Sequence, residues 1–138
     1  MIIGVLKEEK EFEARVAATP ETVKKLVKLD QEIWIEKNAG NSSFINDQDY
    51  VDAGAKIVAR DKVLAADLIL QVQAMNLKDI NNLQPKQYIV GLLDPYNKEL
   101  KASILAKKIS AFALELLPRN SRAQSMERII ISGKYCRI

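Results

Sequence analysis

From Pro118 to Met126 the chain reads PRNSRAQSM, with two arginines, two amides and two serines in nine positions. At neutral pH guanidinium and amide groups donate hydrogen bonds and orient a ligand rather than exchange protons with it. Arg119, Arg122 and the distant Lys7 are also candidates for holding a small anion. The chain has no histidine, so Ser-His, Cys-His and His-metal chemistry are excluded together. Cys136 is the one cysteine, which rules out an internal disulfide and a thiolate metal cluster and reads as an inert thiol in a tail. No metal site is expected. The five glycines, at positions 4, 40, 54, 91 and 133, are too scattered to form G-x-G-x-x-G or a Walker loop. Without such a loop no helix N-terminus is prepared for a pyrophosphate.

The elements that must position these groups are short apolar runs alternating with helical patterns. Ile2 to Leu6 (IIGVL) reads as a strand covered on both faces. Thr19-Pro20-Glu21 supplies an N-cap, a proline at the first helical position and an acid in the first turn. Val23, Leu26 and Val27 carry that helix to about Leu29. Ile33 to Glu36 is the second strand, Asn46 or Asp47 caps a short helix that Gly54 stops, and Lys56 to Val58 is the third strand. Arg60 to Ala66 reads as helix, Asp67 to Val72 as the fourth strand, Asn76 to Leu83 as a weak helix and Tyr88 to Leu93 as the fifth strand. Asp94-Pro95 launches a helix with Leu100, Ile104, Leu105 and Ile109 on one side, and Ser110 to Leu116 is the sixth strand.

This alternation predicts one α/β domain: a parallel sheet of about six strands flanked by helices, Rossmann/flavodoxin-like, with right-handed crossovers. Ligands of open parallel sheets bind at the carboxyl ends of the strands. That rule sets Lys7, Gln73, Asp94 and the segment after Leu116 along one edge. Each also has an ordinary reading, as a surface charge, a strand end or a turn former.

A chain of 138 residues is sized for one domain, and no apolar run approaches the ~20 residues that span a bilayer. The opening apolar stretch runs into Glu8, Glu9, Glu11 and Glu13, the wrong flank for secretion or import, which points to the cytoplasm. The net charge of +3 divides into −1 over residues 1–118 and +4 over residues 119–138. Lysines alternate with acids along the body of the chain, so no basic stripe for nucleic acid is present.

The stretches IGVLKE, EARVAATPETVKKLVKL, EIWIEKNAG and VDAGAKIV resemble the N-terminal part shared by alanine dehydrogenases and the NAD(H)-binding alpha subunit of proton-translocating NAD(P) transhydrogenases. PRNSRAQSM is similar to the transhydrogenase form of the loop. The resemblance implies hydride transfer between NAD(H) and NADP(H), coupled by partner subunits to proton movement across a membrane. It gives Arg119 a contact with NAD(H), has Asn120 and Ser121 line the site, and sends Gln124 toward the NADP(H) side to align the two rings. Gln124 and Arg119 are thus the candidate catalytic residues, and Glu127, where the family has aspartate, is a further candidate cofactor contact. The partners implied are a second copy of the chain and separate NADP-binding and membrane subunits, with the assembly peripheral to the inner membrane.

The dehydrogenase form uses a lysine after the fourth strand and a histidine after the fifth, where this sequence has Gln73 and Asp94; Arg15 matches its position for a substrate carboxylate. Past Met126 the family continues into a serine-rich segment and a Rossmann domain, whereas here ERIIISGKYCRI follows. The expectation is therefore a domain over 1–126, a divergent tail over 127–138 and an absent Rossmann domain. A chain truncated in this way is expected to be inactive alone and to bind NAD weakly or not at all. The alternative is a non-enzymatic α/β association module or degenerate remnant. Asp30-Gln31 stands where the family has Gly-His, so a residue with a Cβ is expected at φ > 0.

Overall fold

A computed structural model describes residues 1–118 and 120–122. Six strands, β1 (Ile2–Val5), β2 (Glu32–Glu36), β3 (Lys56–Val58), β4 (Leu68–Leu70), β5 (Tyr88–Gly91) and β6 (Ser110–Ala113), make one parallel sheet in the order β3-β2-β1-β4-β5-β6. Five helices connect them: α1 (Pro20–Val27), α2 (Asp47–Asp52), α3 (Arg60–Val63), α4 (Leu77–Asn82) and α5 (Lys98–Ala106). This is the strand order of a doubly wound Rossmann-like sheet, and the direction of winding reverses between β1 and β4.

Each face of the sheet has its own core. Ile3, Val5, Ile33 and Ile35 pack with Val23 of α1 and Tyr50 of α2 on one side; Ile69 and Ile89 pack with Val63, Ile80, Leu100 and Ile104 of α3 to α5 on the other. Continuous β-branched runs suit strands buried on both faces. Gly4 is the exception in β1 because α3 rests on the bare backbone there. A Cβ at Gly4 would lie 2.8 Å from Val63 Cγ1 and 2.9 Å from its carbonyl oxygen. The Tyr50 hydroxyl, fully buried, donates to the Ala18 carbonyl at 2.8 Å and pins α2 to the connection before α1.

The signals of α1 and α2 are realised as read, whereas α5 is capped by Asn97 rather than launched at Asp94-Pro95, ends before Ile109, and leaves Leu105, expected on its apolar side, exposed. Thr19 accepts from the Thr22 amide with Pro20 in the first turn, Asn46 rather than Asp47 is the N-cap of α2, and Gly54 takes φ 99° after it. Several spans are shorter than the sequence suggests, most clearly where hydrogen bonds leave the regular pattern. At the end of β4 the Val72 amide turns to the Glu8 carboxylate at 2.6 Å, and at its start the Asp67 carboxylate accepts from Ile2 N at 2.8 Å. β5 ends at Gly91, since Leu93 and Asp94 donate to Glu115. β6 ends at Ala113, where Leu114–Leu116 tightens into a 3-10 turn. After Val63 the chain closes with i to i+3 bonds from Ala65 to Lys62 and from Ala66 to Val63, so α3 is a single turn.

The regular span of α1 ends at Val27, and a Schellman closure rounds it off over Lys28 and Leu29, near the expected end. Gln31 N–H reaches Leu26 O at 3.3 Å, Asp30 N–H reaches Val27 O at 3.0 Å, and Asp30 sits at φ 57°. The position expected to need φ > 0 does, and it carries a carboxylate beside the negative end of the helix. Asp30→Gly is expected to raise unfolding stability by about 1 kcal/mol, removing both penalties against the added backbone entropy of glycine. Urea denaturation would show it, and an unchanged or lower midpoint would mean that the strained turn is compensated elsewhere.

Candidate functional site

The carboxyl ends of β1, β4 and β5 border a cleft of about 430 Å³ at the point where the winding reverses. Lys7, Gln73 and Asp94 all line it, so the edge rule brought three separated residues together correctly. What shapes the cleft is the connection over residues 6–19, far longer than the usual two to six residues of a βα loop. Glu8, Glu9 and Glu13 on it are structural fasteners. Glu8 accepts from the Val72 amide at 2.6 Å and the Gln73 amide at 3.1 Å, tying the connection to the end of β4. Burial pushes the Glu8 carboxyl above its ordinary pKa even against these two bonds.

Glu13 carries the second fastening. Its carboxylate receives Arg15 through Nε and NH2, both at 2.8 Å, and the Gln73 side-chain amide at 2.7 Å. The Arg15 hydrogen bonds hold the Glu13 pKa down to about 2. Arg15, aligned by resemblance with a substrate-carboxylate position, is engaged by a carboxylate of its own chain. Gln73 is likewise oriented by Glu13 and offers no acid or base.

On the other wall Arg60 closes a cluster of acids. It meets Asp79 through NH2 at 2.6 Å, Glu36 through NH1 at 2.9 Å and Glu9 at 3.5 Å. Burial works against the guanidinium charge, but the Asp79 bonds and the nearby Glu36 and Glu9 charges outweigh it and keep Arg60 firmly protonated. Asn76 caps α4 with its carbonyl on the Asp79 amide and donates to Glu9 at 2.8 Å. Among the described residues no group of three or more His, Cys, Asp or Glu is placed to hold a metal ion.

One polar group in the cleft is not spoken for. Gln71 is 2% exposed, lines the cleft, and its side-chain amide nitrogen has no hydrogen-bond partner. A buried donor left unpaired costs roughly 1–3 kcal/mol, so this one marks a place where an acceptor belongs. Gly91 on β5 makes room for it, since a Cβ there would collide with the Gln71 carbonyl and approach its Cγ to 2.9 Å.

The other candidates fall elsewhere. Asn120, Ser121 and Arg122 are exposed and do not line the cleft. Arg119, Gln124, Glu127, Cys136 and Gly133 lie outside the described residues. Sequence reading passed over Glu8, Glu13, Arg60 and Gln71. The signal available for the acids was the length of the connection they sit in; Gln71 had none, being one residue inside an apolar run.

Arg15→Gln is expected to cost about 2 kcal/mol at pH 7, the scale of charge-assisted hydrogen bonds. A carboxylate with a folded pKa of about 2 against an ordinary 4.5 adds stability that is complete above the ordinary value and fades as the pH falls toward about 2. The gap between the two proteins in urea melts should therefore narrow over that window. A gap that stays constant would show that Arg15 acts through packing rather than through Glu13.

The relatives agree with this architecture. The family model described as alanine dehydrogenase/PNT, N-terminal domain, matches residues 4–133. NAD(P) transhydrogenase subunit alpha of Haemophilus influenzae is 36% identical over 130 residues, covering 94% of this chain and 25% of that protein. Alanine dehydrogenase 1 of Staphylococcus aureus is 33% identical over 145 residues, covering 98% of this chain and 39% of that protein. The chain thus spans between a quarter and two fifths of the length of these relatives. The crystal structure of transhydrogenase from Sinorhizobium meliloti matches with a TM-score of 0.87 at 36% identity, over 92% of this chain and 39% of that one. An L-alanine dehydrogenase structure matches with a TM-score of 0.82 at 31% identity, over 88% of this chain and 35% of that one. Matched over nearly its whole length in sequence and in fold, this chain belongs to the alanine dehydrogenase/PNT N-terminal domain family.

Proposed function

We propose that this chain is the nicotinamide-side domain of a transhydrogenase alpha subunit, working in hydride transfer between NAD(H) and NADP(H). The observation that carries the reading is PRNSRAQSM, placed directly after β6 and its 3-10 turn, in a chain 36% identical to a transhydrogenase alpha subunit. Hydride transfer between two nicotinamides needs position and electrostatics from the protein, with no acid or base. A chain without histidine, with Gln73 and Asp94 at its strand ends, suits that chemistry better than amino-acid dehydrogenation.

The described residues fit one end of a dinucleotide. The Gln71 amide is a buried donor for a carbonyl or carboxamide acceptor. A pyrophosphate does not fit: the β1 turn leads into Glu8, Glu9, Glu11 and Glu13 instead of a glycine turn and a helix N-terminus, and those charges would repel it. In the proposed assignment Arg119 contacts NAD(H), Asn120, Ser121 and Glu127 line the site, and Gln124 aligns the rings. Residues 1–126 form the domain, and 127–138 are a divergent tail. The Rossmann half, the NADP-binding subunit and the membrane subunit that couples transfer to proton translocation belong to the complete assembly, in which the chain pairs with a copy of itself. Among the described residues no helix is long and apolar enough to cross a membrane, and the proposed location is the cytoplasmic face of the inner membrane.

Alone the chain is expected to be inactive. Isothermal titration with NADH should find no micromolar affinity, and finding one would overturn that expectation. For the site itself, residues 1–126 can replace the matching front quarter of the Haemophilus influenzae subunit in an assembly with its other subunits. The chimera is expected to pass hydride from NADPH to an NAD analogue, with Arg119→Ala or Gln124→Ala slowing it at least tenfold. A folded, assembled chimera that transfers no hydride would leave the association module as the surviving reading.

A further inference from the structure

Gln71 follows β4 directly, and its N–H still donates to Val90 O at 3.1 Å, so the alternation of the strand carries through it. Ile69 faces the core under α3 to α5, and Gln71, two positions on, turns to the same face. It lines the cleft there together with Leu6, Met75 and Leu100, all of them buried in that core. The charged groups of the cleft are placed differently. Arg60 is taken by Asp79, Glu36 and Glu9, while Lys7 and Lys10 are exposed at the rim. Asp94 and Glu99 bring exposed carboxylates to the same mouth. Arg15 does not line this cleft, so the groups at its floor are other than those the resemblance assigns to a ligand.

We infer that the floor of this cleft binds a small uncharged carboxamide, whose carbonyl oxygen accepts from Gln71 Nε2, whose body lies against Leu6, Met75 and Leu100, and whose N–H groups face the carboxylates of the mouth. The orphaned Gln71 donor is what selects the acceptor. An ammonium would set donor against donor. A carboxylate would be buried close to Glu8, which bonds the two amides following Gln71, with no uncommitted cation at that depth. Burying an unpaired charge costs far more than burying a neutral group whose hydrogen bonds are made. Burial already raises the Glu8 carboxyl, so negative charge is resisted in this place. A hydroxyl could accept from Gln71 but would bring a proton that needs its own acceptor beside the apolar floor. A carboxamide keeps its acceptor and its donors on separate atoms, and the cleft is divided in the same way, with a donor at the floor and acceptors at the mouth. Its volume of about 430 Å³ is within the range of small-molecule sites. The site stands on Gln71 and its surroundings; only the choice of nicotinamide as the probe rests on the transhydrogenase reading.

Nicotinamide titrated into the isotope-labelled 138-residue chain is expected to move the side-chain amide resonances of Gln71 and to saturate with a Kd of about 1–10 mM. Nicotinate, which replaces the carboxamide by a carboxylate, and 3-pyridylmethanol, which replaces it by a hydroxyl, are each expected to bind roughly tenfold more weakly or worse. Gln71→Met keeps the length of the side chain and removes the donor. It should weaken nicotinamide binding by about tenfold or more, and its ligand-free melt should stay cooperative with a midpoint no lower than that of the wild type, since an unpaired buried donor is gone. Should that variant fail to fold, the Gln71 resonances and the ranking of the three probes on the wild-type chain decide the matter alone. Gln71 resonances unmoved at about 50 mM nicotinamide overturn the inference and leave a water as the partner of the donor. Equal affinity for nicotinate, or binding unaffected by Gln71→Met, overturns it as well. None of these outcomes bears on hydride transfer by the chimera, which is assigned to Arg119 and Gln124 and can fail with this site intact.

Discussion

The carboxyl edge is organised by one carboxylate. Glu8 stands just past β1 and accepts the Val72 and Gln73 amides, which would otherwise end β4 as unpaired donors in a partly buried place. That contact keeps the long connection lying across the sheet instead of leading straight into a helix. Everything nearby depends on it. Glu13 reaches Gln73 because the connection has been drawn over β4, and Glu9 reaches Arg60 and Asn76 from the same segment. The energetic cost is visible in the raised Glu8 pKa, a sign that burial is resisted and that the two backbone bonds offset only part of it.

Much of the architecture could be read in the residues because local and global preferences coincide. Ile2 to Val5 and Ile33 to Glu36 are apolar or β-branched and end up in the middle of the sheet, while Thr19-Pro20 and Asn46 cap the helices they introduce. Gly54 and Asp30 take the positive φ their places require. The strand ends were less legible, since where a ladder stops is decided by a distant side chain: Glu8 for β4 and Glu115 for the segment after β5. A carboxylate far away in sequence leaves no periodicity to detect.

The site was legible by place and not by chemistry. The edge rule put Lys7, Gln73 and Asp94 in one cleft, but sequence could not say that Glu8, Glu9 and Glu13 are occupied in fastening the scaffold. Arg15 shows the difference best. By residue type and position it is a carboxylate receptor, and it does hold a carboxylate, that of Glu13 two residues away. A bidentate pair of this kind is pre-assembled, and any incoming carboxylate would have to compete with an intramolecular one at high effective concentration.

Gly91 and Gln71 face each other across neighbouring strands so closely that the side chain of one occupies the space left by the absence of a side chain in the other. Their tolerance to change is therefore shared. Any residue larger than glycine at 91 is excluded while the strand at 71 keeps its path, and shortening Gln71 does not relieve the clash with its backbone carbonyl. Drift at this end of the cleft is thus channelled to one of the two positions, and it falls on the identity of the residue at 71, the side chain that meets whatever the cleft receives.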